Sequence, residues 1–249
     1  MMKLIDGNEV ARPRWMVHGT TADADVIEMC AVAGANAYII DLEHGSATVK
    51  ECANAIRAAD ALGMTTFVRV TSQELMTASR LLDAGAGGVV VADVRGPDDC
   101  KTARDMVFHP PVGRRGFGGS RENSYGSVPQ AGRSNPSIEP LLGVQVESAK
   151  GLSNLDAILC EPEVQLVMAG TRDLAVDLGH GNDMQHPEVV GAVEKVAASA
   201  RQHAVGFAIM VRSPEQVTPA MVMRPAWLLL PLAALVRTGL DAYFRAVAP

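Results

Sequence analysis

The chain has 249 residues, 48% hydrophobic and only 4% aromatic, and carries a net charge of −6. That length suits a sizeable core, in one α/β barrel or two smaller domains, and the scattered basic residues and scarce aromatic rings argue against nucleic acid as a partner. Cys30, Cys52, Cys100 and Cys160 form no C-x-x-C pair and sit in stretches with helical spacing, so they read as reduced packing residues of a cytoplasmic protein, not a zinc site or disulfide framework.

Residues 1–8 carry no apolar signal core. Residues 15–20 then read as a first strand, with a helix over about 22–33. A second strand over 37–44 ends in Asp41, Glu43 and His44, and a helix follows over about 47–62. The third strand is 65–70 with helical spacing over 73–83, and the fourth is 88–94 with a helix from about 97 to 106. After a long break come a strand over 141–147, a helix over 152–159, and a sixth strand beginning at Val164. The sixth strand turns at Gly170, Thr171 and Arg172 into a short helix from Asp173 that stops at Gly179, and 188–203 is strongly amphipathic. Strand seven is 205–211 with a helix over 214–221, strand eight is 226–230, and a closing helix spans about 234–246. The apolar run near Trp227 to Leu235 is too short to span a bilayer and contains Pro231, so no membrane partner is expected.

Strands that read as continuous apolar runs are buried on both faces, which means a parallel sheet covered by helices. Eight such βα units, with no shift in composition between them, indicate a single (β/α)8 TIM barrel over residues 1–249. An open doubly wound sheet would show a glycine fingerprint after its first strand, and Gly19-Thr20-Thr21-Ala22 is not one. The irregular stretch is the loop 109–140, which holds Arg114, Arg115, Arg121 and Arg133; loops of that length are expected to be lids or inter-subunit arms if they are not simply solvated.

In a barrel, chemistry collects where strands end. This chain places His18 after strand one, Asp41, Glu43 and His44 after strand two, Arg69 at the end of strand three and Asp93 after strand four. Gln145 and Glu147 end strand five, two residues apart on one face, and Asp173 follows strand six. Several acids around one mouth need a compensating cation; Arg69 supplies one charge, and a divalent metal is expected to supply the rest, unless the groups form a salt-bridge plug. Glu147 and Asp173, on neighbouring strands, are the expected ligands, and an all-oxygen set suits Mg²⁺ or Mn²⁺ better than zinc. The turn at Gly170 aims free backbone N–H groups at one point, where a carboxylate would sit. His44, turned out by Gly45, is the expected proton-transfer group, with Asp83 as a candidate for orienting it. Lys3, Lys50, Lys101, Lys150 and Lys195 all fall outside the apolar strands, so a Schiff base inside the barrel is not expected.

Six motifs, in order, resemble the class II pyruvate-dependent aldolases of the HpcH/HpaI family. They are Ile40-Asp41-Leu42-Glu43-His44-Gly45, Val68-Arg69-Val70, Leu82-Asp83-Ala84-Gly85, His109-Pro110-Pro111-Val112-Gly113-Arg114-Arg115-Gly116, Val144-Gln145-Val146-Glu147 and Gly170-Thr171-Arg172-Asp173-Leu174. The resemblance implies a phosphoenolpyruvate/pyruvate-binding type of barrel, often hexameric, with an exchanged final helix. It implies a divalent metal, Mg²⁺ or Mn²⁺ with Co²⁺ as a substitute, held by Glu147 and Asp173. Arg69 and Gln145 would hold the oxo group, His44 with Asp83 would move the proton, and the amides of Gly170, Thr171, Arg172 and Asp173 would take the carboxylate. Two departures stand out: Thr171 where the family commonly has proline, and residues 218–225, which are unlike the usual helix and turn.

The expected function is therefore an aldehyde-lyase that reversibly cleaves a 4-hydroxy-2-oxo acid to pyruvate, or hydroxypyruvate, plus an aldehyde through a metal-stabilised enolate. Its partners would be the small-molecule 2-oxo acid and aldehyde and further copies of the chain in a homo-oligomer. The rivals are a malyl- or citramalyl-CoA-type lyase, a tailoring enzyme working through a pyruvate enolate, and a catalytically silent scaffold barrel.

Overall fold

The computed structural model describes residues 13–127 and 139–246; Lys3, the rest of residues 1–8 and Arg133 lie outside them. Eight parallel strands close on themselves in chain order: β1 (Arg14–Gly19), β2 (Ala37–Asp41), β3 (Thr65–Val70), β4 (Gly88–Val91), β5 (Leu141–Val146), β6 (Val164–Ala169), β7 (Gly206–Met210) and β8 (Trp227–Pro231). The helices between them are α1 (Ala24–Val32), α2 (Val49–Ala61), α3 (Leu75–Asp83), α4 (Pro97–Val107), α5 (Ala149–Ser153), α6 (Leu155–Leu159), α7 (Thr171–Asp177), α8 (Pro187–Gln202) and α9 (Val217–Val222), with α10 (Leu232–Ala246) after β8. The fold is a TIM barrel. Among the described residues, no helix is long and apolar enough to cross a membrane.

The period-two alternation of the strands divides the apolar residues into two cores. Inward positions, including Met16, Ile39, Phe67, Val90, Leu166, Met168, Trp227 and Leu229, fill the barrel itself. Outward positions such as Tyr38, Ile40, Val68, Val89 and Val144 pack under the helices with Ile56, Leu81, Ile158 and Val196. The inward series turns polar near the C-terminal ends of the strands, where Asp41 lies level with Arg69 across the β2–β3 pair. Apolar layers therefore support a polar one.

Local chemistry explains where the elements differ from expectation. The second strand stops at Asp41 because its carboxylate accepts the backbone N–H of Glu43, at 3.1 Å, and turns the chain. The fourth stops at Val91, and two residues later Asp93 adopts a left-handed backbone with φ of 49°. The expected helix over 152–159 is split at Asn154, whose amide donates to the Arg95 carbonyl at 2.7 Å. Residues 214–216 form a 3₁₀ turn ahead of α9. Cys160 is exposed, contrary to a packing role, and its sulfur lies 3.7 Å from His203 Nδ1.

The described ends of the long loop, residues 109–127 and 139–140, lie away from the barrel mouth of their own chain. The loop joins the end of α4 to the start of β5, and both points lie at the N-terminal end of the strands. Its first half is pinned there. Arg115 is buried between Asp83, at 2.6 Å, and Glu122, at 2.5 Å, Arg121 pairs with Asp60, and His109 stacks on Phe117 with ring centroids 4.2 Å apart.

Trp227 closes the lower layer of the barrel, edge-on to Phe67 at 6.2 Å between centroids. Trp227→Ala is expected to cost about 3–5 kcal/mol through the cavity it leaves. The expected signature is a lower urea midpoint at unchanged slope.

Candidate active site

The polar layer at the mouth is assembled from four adjacent strands and held by one guanidinium. Arg69, on β3, donates from Nε to Asp41 Oδ1 at 2.9 Å and from Nη2 to Asp41 Oδ2 at 2.7 Å, a two-pronged fit between planar groups. Its third nitrogen, Nη1, reaches Gln145 Oε1 and Glu43 Oε2, each at 3.3 Å. Burial works against both charges of the Arg69–Asp41 pair. Their mutual hydrogen bonds and Coulomb attraction outweigh it, holding Asp41 below the usual carboxylate range and Arg69 above its own.

Gln145 passes the network on. Its amide accepts from Arg69 through the oxygen and donates through the nitrogen to Glu147 Oε2. The other oxygen of Glu147 takes the backbone N–H of Asp93 at 2.8 Å. The fourth strand thus contributes an amide, while the Asp93 carboxylate that the sequence counted among the mouth acids turns away to Arg95, at 2.8 Å. Each Glu147 oxygen keeps a lone pair for a further partner. Gly170 sits tight against this group: a Cβ there would overlap the Glu147 carboxylate and come within 2.9 Å of the Gln145 amide nitrogen. The Glu147 carboxyl is pushed up to about 7, first by burial and then by the charges of Glu43 and Asp173, against the hydrogen bonds from Gln145 and Asp93. Asp173, in the first turn of α7, is exposed, and no hydrogen bond or ion pair engages its carboxylate among the described residues.

The corner ahead of α7 has the expected form. Gly170 is the N-cap without a side-chain cap, and the Thr171, Arg172 and Asp173 N–H groups meet no acceptor among the described residues. Gly45 is also needed for its size, since a Cβ would overlap the Asp41 carbonyl and reach 2.8 Å from that of Thr20. His44 beside it is exposed at the mouth, with Nε2 4.0 Å from Glu43 Oε2.

Asp83 lies at the opposite end of the barrel from His44 within one chain. It ends α3, which runs back to the N-terminal end of the barrel, whereas His44 follows the C-terminal end of β2. Its carboxylate is taken by Arg115. Within one chain the His44–Asp83 pairing does not form; among the described residues Glu43 comes within 4.0 Å of the His44 ring, and Asp41 accepts the His44 backbone N–H at 3.4 Å.

Two further residues gain weight from the structure. His18 points into the barrel end 3.6 Å from Asp41 Oδ2, with Nε2 buried and without a hydrogen bond. Burial first, and the Arg69 charge second, lower it to about 4, so its ring is neutral at physiological pH. It borders a cavity of about 610 Å³ between the ends of β1 and β8 and helix α10, whose walls include Leu232, Val236 and Phe244. Arg212, just past β7, escaped the sequence reading because it follows an apolar run. Burial and the neighbouring Arg172 charge both lower its pKa, and neither arginine has an ion pair among the described residues.

Comparison with known proteins places this geometry among relatives. Residues 14–221 match the family described as HpcH/HpaI aldolase/citrate lyase. The chain is 33% identical over 195 residues to the hydroxypyruvate/pyruvate aldolase of Sagittula stellata, a match spanning 78% of this chain and 76% of that protein. It is 34% identical over 178 residues to the 5-keto-4-deoxy-D-glucarate aldolase of Klebsiella pneumoniae, covering 71% and 69% of the two chains. A crystal structure of an HpcH/HpaI aldolase/citrate lyase family protein from Burkholderia cenocepacia superposes with a TM-score of 0.89 at 27% identity, over 99% of this chain and 98% of that one.

The raised Glu147 carboxyl has a consequence for stability. A carboxyl near 7 in the folded protein, against the ordinary 4.5 of the unfolded chain, favours the fold below about pH 4.5 and loses that contribution as pH rises through 7. In chelator-treated protein, Glu147→Gln is therefore expected to gain thermal stability relative to wild type between pH 5 and about 8. Parallel melting curves across that range check it.

Proposed function

Because the chain belongs to the HpcH/HpaI aldolase/citrate lyase family, we propose that the mouth of its barrel carries out metal-dependent aldol cleavage of a 4-hydroxy-2-oxo acid, giving pyruvate or hydroxypyruvate and an aldehyde. The observation that carries the reading is the buried, acid-crowded Glu147 carboxylate, joined through Gln145 to the Arg69 guanidinium.

The residues fit a cation. Glu147 keeps a free lone pair on each oxygen, Asp173 is unengaged, and their mutual repulsion is the energy a positive ion would relieve. Both ligands are carboxylates, which suits Mg²⁺ or Mn²⁺, with Co²⁺ as a substitute. When bound there, such an ion supplies Lewis-acid stabilisation for negative charge on the 2-oxo oxygen.

The chain's own groups perform the rest. The N–H groups of Thr171, Arg172 and Asp173 would receive the substrate carboxylate, fixing the oxo acid at the start of α7. Asp41 occupies the Nε–Nη2 edge of Arg69, leaving Nη1, beside Gln145 and Glu43, to face the 2-oxo oxygen. As the C3–C4 bond breaks, its electron pair moves onto C3 and the 2-oxo oxygen, where the fixed guanidinium opposes the growing charge without reorganising. The 4-hydroxyl loses its proton as the aldehyde forms, and C3 then takes one. His44, exposed at the mouth beside Glu43, is the group assigned to that traffic.

Two features support finer points. Arg172 and Arg212, without acidic partners among the described residues, favour a substrate with a second anionic group. Helix α10 leaves Leu235, Val236, Leu240, Tyr243 and Phe244 exposed, which supports a homo-oligomer, hexameric by resemblance, with another copy covering that face.

Exchange of the pyruvate methyl protons in D₂O, followed by NMR, tests the reading. Exchange is expected to stop after EDTA treatment, to return with Mg²⁺ or Mn²⁺, and to be lost in Glu147→Ala and Asp173→Ala. Undiminished exchange in metal-stripped protein would overturn it. Arg69→Lys keeps the charge but loses the two-pronged fit, and is expected to reduce kcat/KM for aldol cleavage by about 10²–10³-fold.

A further inference from the structure

We propose that His180, His186 and Glu188 form a second cation site, for a divalent transition ion of the Zn²⁺ class, in the turn between α7 and α8. One ligand atom from each of the three side chains lies within 4.8 Å of the others. His180 Nε2 and Glu188 Oε2 are already 2.7 Å apart, and the two imidazole rings stack with centroids 3.5 Å apart. Both histidines are half-buried, and Glu188 faces solvent, so an ion has a route in.

The local backbone brings the groups together. Gly179 and Gly181, on either side of His180, have φ of 86° and 57°, left-handed values that fold the turn back on itself. Pro187 starts α8 and fixes His186 at its N-cap, where Nδ1 accepts the Glu188 N–H at 3.3 Å. The Nδ1 lone pair that accepts this N–H is of the kind a metal takes. An ion would replace the proton between His180 and Glu188, and the His186 ring would turn out of its stack and give up its long capping contact, because near-parallel rings do not aim both lone pairs at one ion.

The donor chemistry separates this cluster from the carboxylates at the mouth. Two imidazoles and one carboxylate, with a position left for water, suit zinc, whereas Mg²⁺ takes oxygen donors. The turn also touches the substrate corner, since Met184 Sδ lies 3.8 Å from Thr171 Oγ1 at the start of α7. An ion held by these three residues would fasten the turn against that corner.

Equilibrium dialysis of metal-stripped full-length protein against Zn²⁺, with excess Mg²⁺ present, tests the site. Glu147→Gln/Asp173→Asn is expected to retain a bound Zn²⁺ per chain and to melt at a higher temperature with it. The same variant with His180→Ala and His186→Asn added, the asparagine keeping an acceptor at the helix N-cap, is expected to lose both the ion and the thermal shift. Glu188→Gln, which leaves both rings in place, is expected to weaken binding. The proposal is overturned if Glu147→Gln/Asp173→Asn takes up no Zn²⁺, or if removing the two imidazoles changes neither stoichiometry nor melting. Neither result bears on the aldolase reading.

Discussion

The mouth of the barrel depends on the buried fork between Arg69 and Asp41. Asp41 is almost wholly buried, and Arg69 nearly so. Removing either partner would leave an uncompensated charge, at a cost of about 3–5 kcal/mol. The pairing is geometric as well as electrostatic. With two nitrogens of the planar guanidinium fixed by one carboxylate, the third has a single direction, toward Gln145 and Glu43. Gln145 then has no choice of orientation either: its oxygen must face the arginine, so its nitrogen faces Glu147. Four strands are keyed to one another through one salt bridge.

The price of that arrangement appears at Glu147. A network that begins with a balanced pair ends in an acid with two acidic neighbours and only neutral donors. Apolar layers beneath exclude water from one side, which strengthens every charge interaction above them. The site is thus polarised, with cationic Arg69 on one side and excess negative potential on the other. With a cation bound on the negative side, as proposed, a 2-oxo acid would have the complementary layout, with an oxo oxygen that gains charge in the transition state and a carboxylate that requires donors. The first turn of α7 offers those donors beside the same acids.

Much of this was legible in the sequence because strand parity is a strict rule. Arg69, Gln145 and Glu147 could be assigned to the barrel end from the apolar runs that precede them, and the hydrogen bonds bring those three together. Asp41 was legible as a mouth acid but not as the clamp on Arg69, which depends on register across the β2–β3 pair. Asp93 misled because its spacing resembled the others. Only its left-handed backbone shows that the peptide N–H faces inward while the side chain leaves. His18 looked like one polar residue among many, and its significance comes from burial without a partner, a property of packing. His180 and His186 lie in a stretch whose composition reads only as a loop.

Asp83 and the long arm show a different limit, one of topology. A helix that follows a parallel strand carries its C-terminus back to the strand's starting end, and every αβ connection lies there too. Asp60, Asp83, Arg115 and Arg121 obey that rule, forming a charged cluster around the helix ends and the arm. A motif match cannot detect this, since it places residues along the chain and not at one end of a barrel. The closed strand order does: a side chain at the end of α3 cannot orient an imidazole beyond β2 of the same chain. Within one chain, the groups at this mouth come from strand ends and βα loops. Within the described chain, Glu43 is the acid that comes within 4.0 Å of the His44 ring.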